Sequence, residues 1–241
     1  MLLREELEVI GNWIFKRRSY LPLLLVVIVF LGLREALRLR GWSLPTEPWE
    51  AGCLAISFLG LGIRTITVGH VPEGTSGRNT DGQKAESLNT TGMYSVARHP
   101  IYLGNFFIML GISLFFGIWW LTLIFILAFT LYYERVMLAE EKFLEEKFGE
   151  AYLSWARKTP AFIPNPALWQ PPANSFSWKK VLKREYHTFL TIVLSFLFLE
   201  IFGDWLAKGK LELDPMWVVI ILFLVIIYPP LYLMDRWGKL D

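Results

Sequence analysis

The fold is decided by residues 101–133, which read IYLGNFFIMLGISLFFGIWWLTLIFILAFTLYY and contain no charged side chain. As one helix these 33 residues would be about 50 Å long, whereas crossing a hydrocarbon core of about 30 Å takes only ~20 residues. We therefore predict a helical hairpin that turns near Phe116–Gly117. Its second arm runs on into a charged helix that begins at Glu134.

Four more apolar segments flank this hairpin, at 21–37, 51–69, 189–206 and 217–233. Arg34 stands near the end of the first segment, and Arg64 interrupts the second. Together with the two arms of the hairpin, these segments predict an all-α polytopic membrane protein with about six transmembrane helices.

The composition agrees with a membrane protein. Hydrophobic residues make up 54% of the chain and charged residues 19%, with a mean hydropathy of +0.40. These values exclude a disordered chain, a disulfide-stapled secreted domain and a typical soluble enzyme. A net charge of +2 gives no reason to expect nucleic acid as a partner. Cys53 is a single cysteine, and the three histidines have no metal-ligand spacing, so we expect no metal.

The distribution of Lys and Arg predicts the orientation. With a cytoplasmic N-terminus, 18 of these cations fall on the inner side and 5 on the outer side. This asymmetry follows the positive-inside rule. We expect an integral membrane protein with both termini and the long polar segments 70–99 and 134–188 in the cytoplasm, where the cofactor-binding region would lie. In a bacterium the membrane would be the plasma or inner membrane.

The chain is treated as one membrane domain, residues 1–241. The proline-rich stretch 160–172 is interpreted as a surface connector, because proline interrupts helices. Residues 178–241 are interpreted as an additional pair of helices with little chemistry. The sequence leaves the purpose of this pair and the oligomeric state open.

The segment 70–98 is long for a connection and contains Gly-Thr-Ser-Gly-Arg-Asn at 74–79. Loops of this length are usually functional or disordered. A glycine-rich backbone together with Arg78 can cradle an anion. The sequence leaves open whether this segment binds a ligand or is a flexible cytoplasmic loop.

A second candidate stands where the chain enters the bilayer. Pro100 suits the first turn of a helix, so Arg98 and His99 would lie at an electropositive helix N-terminus that attracts carboxylates and phosphates. Tyr102 and Asn105 are three residues apart and share one helix face. The alternative is that Arg98 and His99 anchor at the headgroups and Tyr102 belongs to the aromatic belt.

Acidic and basic side chains within apolar surroundings form the remaining candidates. Glu140 falls in the apolar stripe of the charged helix, where a cationic ligand would satisfy it, whereas Glu141 and Glu145 are expected to face solvent. Arg64 lies inside a predicted span. It either reaches the interface along its aliphatic stem or holds an anionic lipid headgroup.

Several of these residues stand in a recognisable order. The blocks are LNTTGMY at 88–94, RHPIYLG at 98–104, EE at 140–141, FG at 148–149, Tyr152 and PAFIP at 160–164. In this order they resemble the isoprenylcysteine carboxyl methyltransferase and phospholipid methyltransferase superfamily over about residues 50–166. Members of that superfamily are membrane enzymes that use S-adenosylmethionine and lack the soluble Rossmann-type fold.

The resemblance implies a set of site residues. Glu140 would hold the amino end of the cofactor. The residues implied to enclose the rest of the cofactor are Glu86, Ser87, Leu88, Asn89, Tyr94, His99, Pro100, Ile101 and Tyr102. The family's substrate-side arginine has no exact match, because Val136 occupies the aligned position and Arg135 is its neighbour. We predict catalytic roles for Arg98 and Arg135, and substrate binding by Arg64, Arg78 and Asn105.

The expected reaction is methyl transfer to an anionic oxygen of a membrane lipid or lipid-modified substrate, including a bacterial lipid A phosphate. Displacement at a sulfonium needs alignment more than a strong base, and a carboxylate or phosphate is already ionised at pH 7. Three alternatives stay open: a phospholipid amine N-methyltransferase, an NADPH-dependent sterol-type reductase, and a non-catalytic scaffold.

Overall fold

The computed structural model describes residues 3–16, 29–35, 38, 46–72, 85–210 and 215–237. Helices and turns, with no β-strand, make up this part of the chain, so the predicted all-α class is confirmed. The helices are α1 (Leu3–Lys16), α2 (Glu47–His70), α3 (Met93–Val96), α4 (Pro100–Phe115), α5 (Trp119–Phe148), α6 (Glu150–Ala156), α7 (Trp178–Lys208) and α8 (Pro215–Arg236), with a 3-10 turn at Pro166–Leu168. Residues 29–35 are also helical.

Four of the described helices are long and apolar enough to cross a membrane. They are α2, α5, the part of α7 at Trp178–Trp205 and the part of α8 at Trp217–Met234. Helix α4 is also apolar, but its 16 residues are fewer than a full membrane crossing takes. The predicted first span at 21–37 lies largely outside the described residues. The total of six spans and the cytoplasmic orientation therefore stay predictions.

The predicted hairpin is confirmed. Helix α4 ends at Phe115 and α5 begins at Trp119, with the turn between them. Gly117 has φ 61° there, a left-handed conformation that glycine adopts without steric cost. Helix α5 then continues unbroken for 30 residues through the charged segment, as the sequence predicted. The hairpin thereby returns the charged end of α5 to the level of the start of α4.

Helices α2 and α4 approach each other closely through small residues. A side chain at Gly60 would collide with the backbone of α4 at Gly104 and Ile108, and one at Gly111 would collide with Ser57. The Ser57 hydroxyl donates a hydrogen bond to the Ile108 carbonyl over 2.8 Å. Small residues and hydroxyl hydrogen bonds of this kind are what associate helices within lipid.

The described core is shared by all the long helices. Its largest buried side chains include Phe115 of α4, Phe196 of α7 and Trp217 of α8. Leu33 and Cys53 pack into the same cluster from residues 29–35 and from α2. The C-terminal helices therefore pack into the main core.

The proline-rich stretch does more than connect two spans. Its backbone hydrogen-bonds to the segment just before α4: Asn165 N–H donates to the Val96 carbonyl, and Gly92 N–H donates to the Gln170 carbonyl. The Gln170 N–H also donates to the Ser95 hydroxyl over 2.9 Å. The stretch was interpreted from sequence as a connector. In the structure it also holds the segment just before α4 in place through these hydrogen bonds.

The contact between α2 and α4 predicts a clear difference between two glycines of α2. Gly60→Ala should lower stability by about 1–3 kcal/mol, because the methyl group has no room against α4. Gly62→Ala is the control, since a Cβ at Gly62 meets no atom within 4 Å. Thermal unfolding in detergent should therefore shift downward for Gly60→Ala and stay level or rise for Gly62→Ala. Equal shifts would contradict this packing.

Candidate functional site

The site centres on His99, which lies directly before α4 and between two consecutive carboxylates of α5. Its side chain is 4% exposed. The Nδ1 atom lies 3.4 Å from Oε2 of Glu140, and the Nε2 atom lies 3.0 Å from Oε1 of Glu141. Successive residues of a helix project about 100° apart. The imidazole therefore fits between the two carboxylates and faces one with each nitrogen.

These carboxylates determine the charge state of the ring. Burial lowers the pKa of His99, but Glu140 and Glu141 together outweigh burial and raise the pKa above its usual value. A ring that donates from both nitrogens must be an imidazolium. Carboxylates at both ring nitrogens therefore favour the imidazolium form of His99.

Two tyrosine hydroxyls beside the carboxylates are kept protonated. Burial first, and then the Glu140 carboxylate, raise the pKa of Tyr94, while Arg184 and Arg64 act in the opposite direction. Burial and the Glu141 carboxylate likewise raise the pKa of Tyr152. Both phenols are therefore hydrogen-bond donors at neutral pH rather than bases.

Arg98 joins the same acidic pair. Its Nε lies 3.0 Å from Oε1 of Glu141, although the angle does not make a hydrogen bond, and its Nη1 donates to the Ala156 carbonyl over 2.8 Å. The Arg98 and His99 N–H groups donate to the carbonyls of Pro160 and Ala161. Those two N–H groups are therefore occupied, and the carboxylates that Arg98 and His99 attract are those of Glu140 and Glu141. Binding of a ligand anion at this helix end stays a prediction.

A cavity of about 310 Å³ opens beside this cluster. Its volume lies at the lower end of the range for small-molecule sites, about 300–1,000 Å³. It is lined by Arg98, Leu138, Glu141, Lys142, Glu145, Tyr152, Leu153, Ala156 and Arg157. The walls thus present cations, carboxylates, one phenol and aliphatic surface, a combination suited to a zwitterionic ligand with a flat ring.

A second polar group lies on the other side of His99. Arg64 of α2 pairs through both Nε and Nη2 with Glu185 of α7, at 2.8 and 2.9 Å. Its Nη1 donates to Oδ1 of Asn105, whose Nδ2 donates to the Tyr133 hydroxyl over 3.1 Å. Arg64 was predicted to bind substrate. Its guanidinium is already paired with Glu185, so a lipid anion would have to replace that carboxylate.

The residues predicted around the cofactor differ in their contacts and in their exposure. Tyr102 stacks on His99 with ring centroids 5.6 Å apart. It also contacts Tyr133, as Asn105 does, so the two share the predicted face of α4. Pro100 is buried and Ile101 half-buried, like Leu88 and Asn89, whereas Glu86 and Ser87 are exposed.

The other predicted arginines are Arg135 and Arg78. Arg135 turns back along its own helix, and its Nη1 donates to the Leu131 carbonyl, so its expected catalytic role has no support in these contacts. Val136, at the aligned position, is fully buried. Arg78 and the glycine-rich segment around it lie outside the described residues.

Glu141 is the site residue that sequence reasoning missed. It was expected to face solvent, yet its side chain is 24% exposed, against 32% for Glu140, and it contacts both Arg98 and His99. Glu145 and Tyr152 join it in the cavity wall. The spacing of Glu141 and Glu145 by one helical turn was the available signal. Within the part of the chain that the structure describes, no three His, Cys, Asp or Glu side chains are grouped so that they could hold a metal ion.

Comparison with known proteins places this site in a family segment. Residues 52–151 match the family model of phospholipid methyltransferases. The chain is 33% identical over 122 residues to the nickel-cobalt-cadmium resistance protein NccN of Alcaligenes xylosoxydans xylosoxydans, covering 51% of this chain and 57% of that protein. It is 32% identical over 122 residues to the cobalt-zinc-cadmium resistance protein CzcN of Cupriavidus metallidurans, covering 51% and 56%.

A third relative is an enzyme by name. The chain is 35% identical over 81 residues to the protein-S-isoprenylcysteine O-methyltransferase of Schizosaccharomyces pombe, covering 34% of each chain. The chain thus spans little more than half the length of the two resistance proteins that it matches, and less of this enzyme. No solved structure is significantly similar to it. The resemblance deduced from the motifs is confirmed by these matches.

The charged histidine predicts a pH dependence of stability. Because the folded-state pKa of His99 is raised, its contribution is full below the unfolded value of about 6.5 and is lost as the pH rises through the folded value. The unfolding temperature in detergent should therefore fall by a few degrees as the pH rises from 6 to 9.

A matched pair of variants on α5 tests this assignment. Glu141→Gln should make the pH dependence shallower, because one of the two carboxylates that raise the pKa of His99 is removed. Glu146→Gln should leave it unchanged, since Glu146 is 65% exposed and pairs only with Lys142 among the ion pairs described. An identical pH profile for Glu141→Gln and the unmodified protein would refute the pairing.

Proposed function

We propose that the protein transfers a methyl group from S-adenosylmethionine to an anionic oxygen of a membrane lipid or lipid-modified substrate, because residues 52–151 match the family model of phospholipid methyltransferases. The observation that carries this proposal is the cluster of Arg98, His99, Glu140 and Glu141 beside a ligand-sized cavity. The name of the Schizosaccharomyces pombe relative supports transfer to oxygen. We further propose that the site faces the cytoplasm.

The residues present fit this cofactor. S-adenosylmethionine carries an ammonium, a sulfonium, a carboxylate and an adenine ring. Glu141 and Glu145 in the cavity wall, with Glu140 beside them on α5, offer carboxylates for the cationic groups. Arg98 and Arg157 offer guanidinium groups for the carboxylate. Tyr152 and the aliphatic walls of the cavity offer surface for a ring. When bound, the cofactor would supply an electrophilic methyl group on sulfur.

The contribution of the chain is then mainly positioning. His99 holds the carboxylates of Glu140 and Glu141 in fixed directions, and Arg98 holds Glu141 from the other side. Tyr152 stays protonated and can donate a hydrogen bond without competing as a nucleophile. Alignment of this kind is what an in-line displacement requires, and it supplies much of the rate enhancement in such reactions.

The same geometry favours an anionic acceptor over an amine. An ammonium must lose a proton before it can accept a methyl group, and His99 was the evident base in the sequence. His99 faces a carboxylate of α5 with each ring nitrogen, so neither nitrogen is directed at an acceptor amine. A carboxylate or a phosphate, including a lipid A phosphate, needs no such base.

One observation favours a second candidate, an NADPH-dependent reductase. A 2′-phosphate calls for basic residues at the site, and Arg98, Lys142 and Arg157 line the cavity together. Glu141 and Glu145 in the same wall oppose a highly anionic ligand, and so does the family match. The two candidates make different predictions about cofactor binding.

Binding calorimetry on the detergent-purified protein separates them. S-adenosylhomocysteine should bind, and Glu140→Gln should weaken it about tenfold, because a charged hydrogen bond to the ligand ammonium is lost. Glu146→Gln, on the exposed face of the same helix, should not change the affinity. Binding of NADPH without S-adenosylhomocysteine would replace the methyltransferase by the reductase, and binding of neither would favour the scaffold.

The acceptor class can be measured with methyl-labelled S-adenosylmethionine. Vesicles would carry one lipid each with a free phosphate monoester, a carboxylate or a primary amine. Label should enter the carboxylate lipid as a base-labile methyl ester or the phosphate lipid as a base-stable methyl phosphodiester, and should not enter the amine lipid. Transfer to the amine alone would overturn the anionic acceptor while leaving the methyltransferase class intact.

A further inference from the structure

Helix α7 places a buried acid against the family segment. The Glu185 side chain is 5% exposed and that of Arg64 is 12% exposed. The pair is bidentate, with both guanidinium donors within 2.9 Å of the carboxylate oxygens. Arginine stays charged in proteins, so removal of Glu185 would leave a buried cation without its compensating charge. Glu185 therefore determines where the Arg64 guanidinium lies.

The position of Arg64 then fixes Asn105. Arg64 donates to the amide oxygen of Asn105, which leaves the amide nitrogen to donate to the Tyr133 hydroxyl. An amide side chain has a distinct donor end and acceptor end, so this contact selects one of two orientations. The orientation of Asn105 thus depends on an ion pair that is made on α7.

Tyr133 passes this order on to the site. Its ring centroid lies 4.2 Å from that of Phe129 and 4.8 Å from that of Tyr102. Tyr102 in turn stacks on His99. Contacts therefore run without a break from the C-terminal helix to the histidine between the two carboxylates.

We propose that Glu185 is a positioning residue of the site, which holds Arg64 so that Asn105 and Tyr133 keep Tyr102 stacked on His99. This inference rests on the proposed function only in that the site binds S-adenosylmethionine. Residues 52–151 do not include Glu185, so the family segment is incomplete without α7. The C-terminal helices, interpreted from sequence as having little chemistry, would then be required for catalysis.

The chain offers a matched control on the same helix. Glu200 is also a buried acid of α7, 1% exposed, but it belongs to the part of α7 that packs with Leu199 and Trp217 in the core. Glu185→Gln and Glu200→Gln remove the same charge from the same helix. If Glu185 were only structural, both variants would lose stability and neither folded variant would lose affinity for S-adenosylhomocysteine.

The experiment measures S-adenosylhomocysteine affinity by calorimetry for both full-length variants at matched folded fractions. We expect Glu185→Gln to weaken binding about tenfold and Glu200→Gln to change it less than about twofold. Asn105→Ala should weaken binding similarly, and combining it with Glu185→Gln should add little, because both act through one chain of contacts. Equal affinities for the two glutamine variants, or additive effects with Asn105→Ala, would overturn the proposal.

A ligand-free readout separates this inference from the proposed function. In protein labelled with 3-fluorotyrosine, the Tyr102 resonance, assigned with Tyr102→Phe, should move in Glu185→Gln and stay in place in Glu200→Gln. If the unmodified protein fails to bind S-adenosylhomocysteine, the proposed function fails, while the fluorine shift still decides the positioning role. An unmoved Tyr102 resonance in Glu185→Gln would overturn that role.

Discussion

The site depends on one buried histidine that lies between two carboxylates. His99 stands at the beginning of α4, and Glu140 and Glu141 stand near the end of α5. The two carboxylates together face both ring nitrogens, and Arg98 beside Glu141 offsets the second negative charge. The hairpin at Gly117 and the proline-rich stretch bring these residues to one level of the structure.

The polar interior extends beyond this cluster, and it does so across four helices. Arg64, Glu185, Asn105 and Tyr133 come from α2, α7, α4 and α5. Polar side chains within apolar helices are costly unless they are paired, and paired groups of this kind commonly mark functional sites in membrane proteins. The contacting rings of Tyr133 and Tyr102 connect these paired polar side chains to His99.

Much of this organisation follows from the sequence because it depends on local properties. The uncharged length of residues 101–133 exceeds one crossing, which forces a turn, and Gly117 permits it. The motif order RHPIYLG and then EE pointed to His99 and Glu140. Glu141 was missed because neighbouring helix positions differ by about 100°, and only the tertiary position of His99 decides which side is buried.

Long-range pairs could not be predicted for a related reason. Glu185 is 121 residues from Arg64, and nothing in the spacing of either residue identifies the other. Arg135 was preferred over its neighbours for its charge, yet its side chain folds back on its own helix. Sequence therefore identified residues of the cluster, such as Arg98, His99 and Glu140, more readily than the partners that fix their orientation.

The central claim is that a cationic His99 organises the cofactor site, and nitrogen-15 NMR of the histidine rings tests it most directly. The chain has only three histidines, so His99→Gln assigns the signal. At pH 7.5 both ring nitrogens of His99 should have the shifts of an imidazolium, and S-adenosylhomocysteine should perturb them. A neutral ring that does not respond to S-adenosylhomocysteine would contradict the account.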